Sequence, residues 1–256
     1  MNPTVGVRMR AWRLRAGRCG CAVVLVGALA LLVDVAPTQA AAPVPRTRLP
    51  MGLTRVDGAK QVIVVTSRTA ASSVAILRAF EDVHGIWTQA FGPIRARVGR
   101  DGWRAARRRR EGDGTTPEGI YTVGATIYGT SPNPGVAYRF HHLVAGDYWD
   151  ENPADGHRYN TFRHSANTDC AANPFGGATE CLWRTPTPYA YFAVIDFNTP
   201  ATGPYGSGMF LHVGTRTATA GCVSVARTTL VRVLDWLRPA DHTRIVLAGP
   251  SSLARY

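Results

Sequence analysis

The stretch Gly206-Ser-Gly-Met-Phe-Leu-His-Val-Gly214, followed by Thr219-Ala-Gly-Cys-Val-Ser-Val225, decides the fold of this chain. Residues 209–213 are apolar on both faces apart from His212, which predicts a central strand that carries a histidine. Cys222 follows ten residues later, a spacing that predicts a hairpin whose loop folds back and sets the imidazole beside the thiol. A thiol needs a base to become a nucleophile, so the two residues are candidates for that pair.

Gly221 directly precedes the cysteine and allows a tight turn there. Such a turn can aim the backbone N–H groups of Gly221 and Cys222 at an oxyanion, and we expect the imidazole to lower the pKa of the thiol. Taken singly, a buried cysteine and a strand histidine also fit purely structural roles. Their combination with the glycine favours catalysis.

The rest of the chain predicts a mainly β architecture. Helical spacing of Leu230, Val231, Val233, Leu234 and Leu237, ended by Pro239, predicts one clear helix after the cysteine turn. Further strands are predicted at residues 61–66, 74–80, 119–123, 189–197 and 243–248.

The first 42 residues differ from the rest, and we interpret them as a signal peptide. Basic residues precede a twelve-residue apolar run at 22–33, which is too short to span a bilayer as a helix, and small residues follow it. The mature protein is then secreted, into a periplasm-like or cell-wall space; an uncleaved anchor is the alternative. Residues 43–58 are interpreted as a linker, 59–250 as the catalytic domain and 251–256 as a tail.

The chain is basic, with a formal net charge of +12. Removing the five arginines and one aspartate before residue 43 leaves 24 basic and 16 acidic side chains, a net charge of +8. Arg104 and the run 107–110 concentrate this charge, which predicts either a solvated loop or a contact with anionic wall polymers. No nucleic-acid-binding signature accompanies the arginines, so we expect no nucleic acid partner.

Three cysteines follow the N-terminal segment, an odd number that suggests one pair and one free thiol in an oxidising compartment. Cys170 and Cys181 flank a loop rich in Gly, Asn and Pro that can close easily, so we pair them and leave Cys222 free. A zinc site made by the three cysteines and His212 is the alternative. No metal-ligand spacing supports it, and no metal or cofactor is expected.

Several motifs together resemble the L,D-transpeptidases of bacterial cell walls, the YkuD-type catalytic domain, in its actinobacterial branch. His212 and the set Thr219, Gly221 and Cys222 are similar to the family's catalytic motif. The segments 110–119, 159–160, 193–198 and 206–208 resemble further family motifs, and the resemblance covers about residues 60–249.

The resemblance implies a β-sandwich catalytic domain that acts on peptidoglycan stem peptides. Cys222 would attack the amide after the third residue of a tetrapeptide stem, expel D-alanine and form a thioester, which the amine of a second stem would then take. His212 would be the base, and the carbonyl of Gly214 would orient its ring. Thr219 and Ser224 would contact substrate. No cofactor and no stable protein partner are implied.

The chain departs from the family pattern at two positions of this motif. Ala220 replaces a histidine, and Ser224 stands where many members have arginine or asparagine, which implies an altered recognition of substrate carboxylates. Two other activities remain open from the sequence. In a carboxypeptidase or cysteine peptidase, water would hydrolyse the same thioester. A wall-binding module that has lost catalysis is the other alternative.

Overall fold

A computed structural model describes residues 48–199, 201, 204–214 and 216–256. The predicted signal peptide and the first part of the predicted linker lie outside these residues. The described elements are β1 (Gln61–Thr66), β2 (Val74–Val83), β3 (Ile86–Arg97), β4 (Trp103–Ala105), β5 (Thr116–Gly129), β6 (Arg139–His142), β7 (Asp147–Asp150), β8 (Thr161–His164), β9 (Glu180–Cys181), β10 (Phe192–Ile195), β11 (Phe210–Val213), β12 (Val223–Val225), α1 (Arg227–Trp236) and β13 (Arg244–Ala248).

Most strands belong to one large mixed sheet, which confirms the mainly β prediction. Its order is β10-β11-β12-β3-β2-β1-β13-β5-β4, with β6 beside β5. Strand β10 also pairs with β5, so the sheet curls round until distant strands of this order meet. The two layers of this β-sandwich enclose the largest hydrophobic core. A second sheet, β8-β7-β9, lies outside this ring.

Strands β11 and β12 carry the His–Cys stretch, and they pair in parallel, with His212 opposite Ser224. The predicted hairpin is therefore wrong. Parallel strands require a crossover connection, and the segment between them leaves the sheet to bridge Gly99 at Thr219 before it returns. The loop thus returns the chain to the end of the sheet where β11 begins, and Cys222 lies there just before β12.

Helix α1 follows β12 and confirms the helix predicted from the leucine and valine spacing. Leu230, Val233 and Leu234 are fully buried against the main core, as is Leu237 just after the helix. The apolar stripe therefore covers one side of the sandwich. No helix in the described ranges is long and apolar enough to cross a membrane.

The segments at both ends of the described chain pack together over a second, smaller core. Leu53, Val56 and Ala59 are buried against β1 and β13, and Leu253 and Tyr256 join them. The carbonyl of Tyr256 accepts hydrogen bonds from the backbone N–H groups of Thr54 and Arg55. Residues on both sides of the predicted boundary at 59 therefore share one core.

Candidate active site

The cysteine turn is held by hydrogen bonds from two threonine side chains. The Thr219 hydroxyl donates to the carbonyl of Cys222 (2.6 Å) and accepts from the N–H of Gly221 (3.1 Å). The Thr116 hydroxyl donates to the carbonyl of Gly221 (2.7 Å). Thr219 therefore shapes the turn with the hydroxyl that the sequence assigned to substrate, and the N–H of Gly221 is occupied rather than aimed at an oxyanion.

Gly221 is required at this position by crowding as well as by its backbone angle. Its φ is +155°, and a Cβ there would stand 2.9 Å from the backbone oxygen of Thr115. A side chain would also press on the Arg109 guanidinium at 3.1 Å. The close approach of these backbone segments holds Cys222 against β11.

The Cys222 thiol lies against the strand that carries the histidine. Its Sγ donates to the carbonyl of Gly208 (3.1 Å) and accepts from the N–H of Phe210 (3.4 Å). Gly208 is held in turn, because its N–H donates to Oδ1 of the buried Asn160 (3.0 Å). The nucleophile candidate therefore has a fixed position in the resting protein.

His212 is nine-tenths buried on β11, with its ring held from two sides. Nδ1 lies 2.9 Å from the carbonyl of Val213, so the neutral ring donates there and carries its lone pair on Nε2. The Tyr189 ring packs edge-on at 6.0 Å between centroids. The orienting carbonyl is that of Val213 rather than of Gly214, since the imidazole turns back on its own strand.

Burial keeps both candidate catalytic groups neutral at rest. Burial raises the pKa of the Cys222 thiol to about 12, and Glu180 and Glu151 add to this effect. Burial also lowers the pKa of His212 to about 4, although its bond to Val213 opposes the shift. The expected lowering of the thiol pKa is therefore wrong for the resting site, because desolvation by burial is the largest effect on the thiol.

Cys222 and His212 open into one cavity of about 820 Å³. Three carboxylates line it: Glu111, Glu151 and Glu180. The Ser207 hydroxyl lies within hydrogen-bond distance of Glu111 (2.8 Å) and of Glu151 (3.1 Å), so these side chains form one network. Burial raises the pKa of Glu151 to about 8, with Glu180 and Glu111 contributing. Three carboxyl groups therefore lie in the pocket of the thiol, and burial favours the protonated form of Glu151.

The family comparison agrees with this arrangement. The family model described as the L,D-transpeptidase catalytic domain, YkuD, matches residues 61–247. The chain belongs to this family. Among solved structures, the helical cell shape determining protein Pgp2 from Campylobacter jejuni is similar at 13% identity and a TM-score of 0.38, over 77% of this chain and 50% of that one. The chain thus spans about half the length of that solved chain. Comparison with curated proteins gives no significant match.

Arg109 is a residue of this L,D-transpeptidase domain that the sequence placed in a solvated or polymer-binding run. It is only 1% exposed, and its guanidinium donates to the carbonyls of Thr115 (3.0 Å) and Tyr205 (2.9 Å). A Cβ on Gly206 would fall 1.5 Å from it, so the glycine makes room for the arginine. Arg109 therefore sets a buried positive charge behind the cysteine turn, where it favours the thiolate.

The acidic residues of the pocket were also missed by sequence reasoning. Glu111 lies inside the motif 110–119 and accepts from the Tyr159 hydroxyl (2.8 Å), so the motifs of the resemblance contained its signal. Glu151 directly follows β7, and Glu180 lies in β9. No local sequence pattern marks either glutamate as a residue of the pocket. Only the pairing of β7 with β9 brings them to the thiol.

The two remaining predicted site residues lie apart from the thiol pocket. Gly214 and Ser224 line a second cavity of about 540 Å³ instead. Ser224 is 1% exposed on β12, and its hydroxyl has no hydrogen-bond partner within the described part of the chain. The structure thus places the motif residues of the L,D-transpeptidase domain in two separate cavities.

A disulfide joins Cys170 to Cys181, with the two Cα atoms 5.9 Å apart, and Cys222 is the free cysteine of the described residues. Cys181 lines the thiol pocket beside Glu180. The bridge therefore anchors the pocket wall formed by the loop before β9.

Proposed function

We propose that this domain catalyses acyl transfer on the stem peptides of peptidoglycan, with Cys222 as nucleophile and His212 as base. The observation that carries the proposal is the shared cavity of the thiol and the imidazole in a chain of the L,D-transpeptidase family. The bond from Nδ1 to Val213 leaves the lone pair of Nε2 to receive a proton. The disulfide fits an exported protein, so the cell-wall space is the proposed location.

The reaction begins with both groups neutral, so proton transfer accompanies attack. His212 takes the Sγ proton while sulfur bonds to the carbonyl carbon of the amide after the third stem residue. The C–N bond then breaks, the imidazolium protonates the departing amine, and D-alanine leaves a thioester on Cys222. The amine of a second stem attacks this thioester, gives its proton to His212 and restores the thiol.

Two features of the site support stabilisation of the charged intermediate. The N–H of Gly221 is engaged by Thr219, so the N–H of Cys222 is the turn donor that we assign to the oxyanion. Arg109 sets its positive charge behind the same turn. Glu111, Glu151 and Glu180 line the same cavity and offer carboxyl oxygens that can accept hydrogen bonds from the amine of the acceptor.

The test is the mass of the products after incubation of the protein with a purified disaccharide-tetrapeptide. We expect a cross-linked dimer and free D-alanine, both lost in Cys222→Ala and in His212→Gln. His157→Gln, at an exposed histidine outside the pocket, is the matched control and should retain activity.

Other products would change the assignment. Tripeptide alone would show that water takes the thioester, the outcome of a carboxypeptidase. Absence of turnover together with an unreactive Cys222 would contradict catalysis and leave a wall-binding module.

A further inference from the structure

A second cavity of about 540 Å³ is lined by Gly214 and Ser224, each two residues after a candidate catalytic group, and its charged lining is entirely positive. Its side chains include Arg95 and Arg97 from β3 and Arg216 from the loop after β11. None of the three arginines forms an ion pair with any residue that the structure describes. Three uncompensated cations at one cavity repel one another and favour an anionic occupant.

The pairing register connects this cavity to the catalytic histidine. His212 on β11 lies opposite Ser224 on β12, and Ser224 lies opposite Arg97 on β3. Side chains of directly paired residues project from the same face of a sheet, so the three share one face. Two strand spacings, roughly 10 Å, separate the Cα atoms of His212 and Arg97. A long arginine side chain spans much of this separation.

Ser224 supplies an independent sign of a missing ligand. It is 1% exposed, lines the cavity, and its Oγ lacks any partner in the described residues. Buried hydroxyl groups are nearly always hydrogen-bonded, because an unmet one loses its water without replacement. A carboxylate oxygen in the cavity would accept this hydroxyl.

The N-terminus of α1 adds a further positive contribution. Ala226, the residue before the helix, lines the cavity. No side chain caps the first turn and no acidic residue lies in it. The helix of ten residues therefore has the positive end of its dipole beside Ala226.

We propose that the cavity lined by Arg95, Arg97, Arg216 and Ser224 binds a carboxylate of the stem peptide while Cys222 and His212 act on a neighbouring amide. This inference rests on the proposed function, since it names what holds the substrate beside the thiol. The guanidinium groups pair with the carboxylate oxygens, and the Ser224 hydroxyl donates to one of them. The carboxylate belongs either to the departing D-alanine or to the acceptor stem, and the experiment separates these sources.

The first arm measures binding without catalysis. N-acetyl-D-alanine and its uncharged amide are titrated into the protein, and NMR shifts give the dissociation constants. We expect the acid to bind at least about tenfold more tightly than the amide, and Arg97→Gln to abolish the difference. Arg139→Gln, at an exposed arginine on β6, is the charge-matched control and should retain it. Equal affinity of acid and amide for the protein, or an unaltered preference in Arg97→Gln, would overturn the proposal.

Ser224→Ala separates a binding role from a structural one. Removing an unpaired buried hydroxyl should leave the melting temperature unchanged or raise it, because nothing in the resting protein bonds to it. The same variant should bind N-acetyl-D-alanine several-fold more weakly. Unchanged binding in this variant would contradict a role for the hydroxyl in the site.

The second arm identifies the source of the carboxylate by the rate of Cys222 acylation and of cross-linking. Amidating the terminal carboxylate of the donor tetrapeptide should slow acylation if the cavity holds D-alanine. Amidating the acceptor alone should slow only cross-linking if the cavity holds the acceptor. If neither amidation alters a rate, the assignment to stem carboxylates is overturned. If no stem acylates Cys222 at all, the proposed function fails, while the binding arm still decides whether the cavity takes a carboxylate.

Discussion

At the scale of single residues, the two candidate catalytic side chains are both uncharged in the resting protein. Cys222 holds its proton because burial and two glutamates oppose a negative charge, and His212 lacks one because burial opposes a positive charge. An ion pair between them would need substrate or a rearranged pocket to stabilise it. The resting thiol should accordingly behave as a weakly acidic one.

The pH dependence of thiol alkylation tests this state. Because the pKa of Cys222 is about 12, the reactive thiolate fraction should rise tenfold per pH unit from pH 6 to pH 9 without a plateau. The measurement is the rate of iodoacetamide labelling at Cys222, followed by mass spectrometry of the peptide, with Cys222→Ala as the blank. A plateau near neutral pH would show a preformed thiolate–imidazolium pair.

Glu151 makes the stability of the fold depend on pH. Its pKa of about 8 exceeds its ordinary value of 4.5, so the folded chain keeps a proton that the unfolded chain has lost. The free energy of unfolding should fall as pH rises from about 4.5 to about 8, with each pKa unit worth up to about 1.4 kcal/mol. Glu151→Gln should reduce this decline, which melting temperatures at pH 5, 7 and 9 would reveal; the buried Glu180, whose pKa is also raised, contributes in the same direction. Asp101→Asn, at an exposed carboxylate, should leave it in place.

At the scale of elements, α1 and the second sheet make different contributions. The helix closes one side of the core, whereas β7 and β9 carry Glu151 and Glu180 to the pocket. Polar contacts tie the second sheet together and to the large sheet, since His164 on β8 and His141 on β6 each lie 2.8 Å from a carboxylate oxygen of the fully buried Asp147 on β7. Apolar packing holds the helix, whereas the second sheet combines these polar bonds with the packing of Trp149 in a third core cluster.

Two positions of α1 differ in burial, and this difference predicts how strongly a substitution at each affects stability. Leu234→Ala should cost about 3 kcal/mol of unfolding free energy, because its side chain is fully buried and its removal leaves a cavity. Val231→Ala, at a partly buried position on the same helix, is the control and should cost about 1 kcal/mol or less. Urea denaturation measures both. Equal losses would contradict the orientation of the helix.

At the scale of the whole molecule, the two ends of the described chain close the second core. The Ser252 hydroxyl is fully buried and donates to Glu118 Oε1 on β5 (2.7 Å). Glu118 also accepts from the N–H of Gly249 (3.1 Å). The last residues are thus bound into the fold by a charged acceptor.

Matched serines test this contribution of the C-terminal residues. Ser252→Ala should lower the free energy of unfolding by about 1–2 kcal/mol, because Glu118 loses a buried donor. The exposed neighbour Ser251→Ala should have no measurable effect. Thermal unfolding of the two variants checks the difference. Similar melting temperatures would show that the end of the chain behaves as a loose tail.

Local patterns determined much of the fold from the sequence. The strand β1 occupies the predicted residues 61–66, and α1 contains the predicted apolar stripe, because a buried face repeats with the period of its element. Strand β3 was not predicted, since most of its side chains are at least partly exposed and no alternation marks it. Strand β7 was not predicted because its buried ends are aspartates, whose partners lie elsewhere in the chain.

The sequence by itself pointed to the candidate nucleophile, its candidate base and the glycine of the cysteine turn, because these lie within one short stretch and their chemistry depends on residue type. Only the tertiary structure decided that β11 and β12 run in parallel, that Arg109 is buried behind the turn, and that Ser224 faces a cavity of arginines. The last two depend on contacts between segments far apart in the chain, and the first depends on a connection that bridges Gly99 before it returns to the sheet. The free energy of such contacts comes from burial and register across the whole sandwich, which no local pattern records.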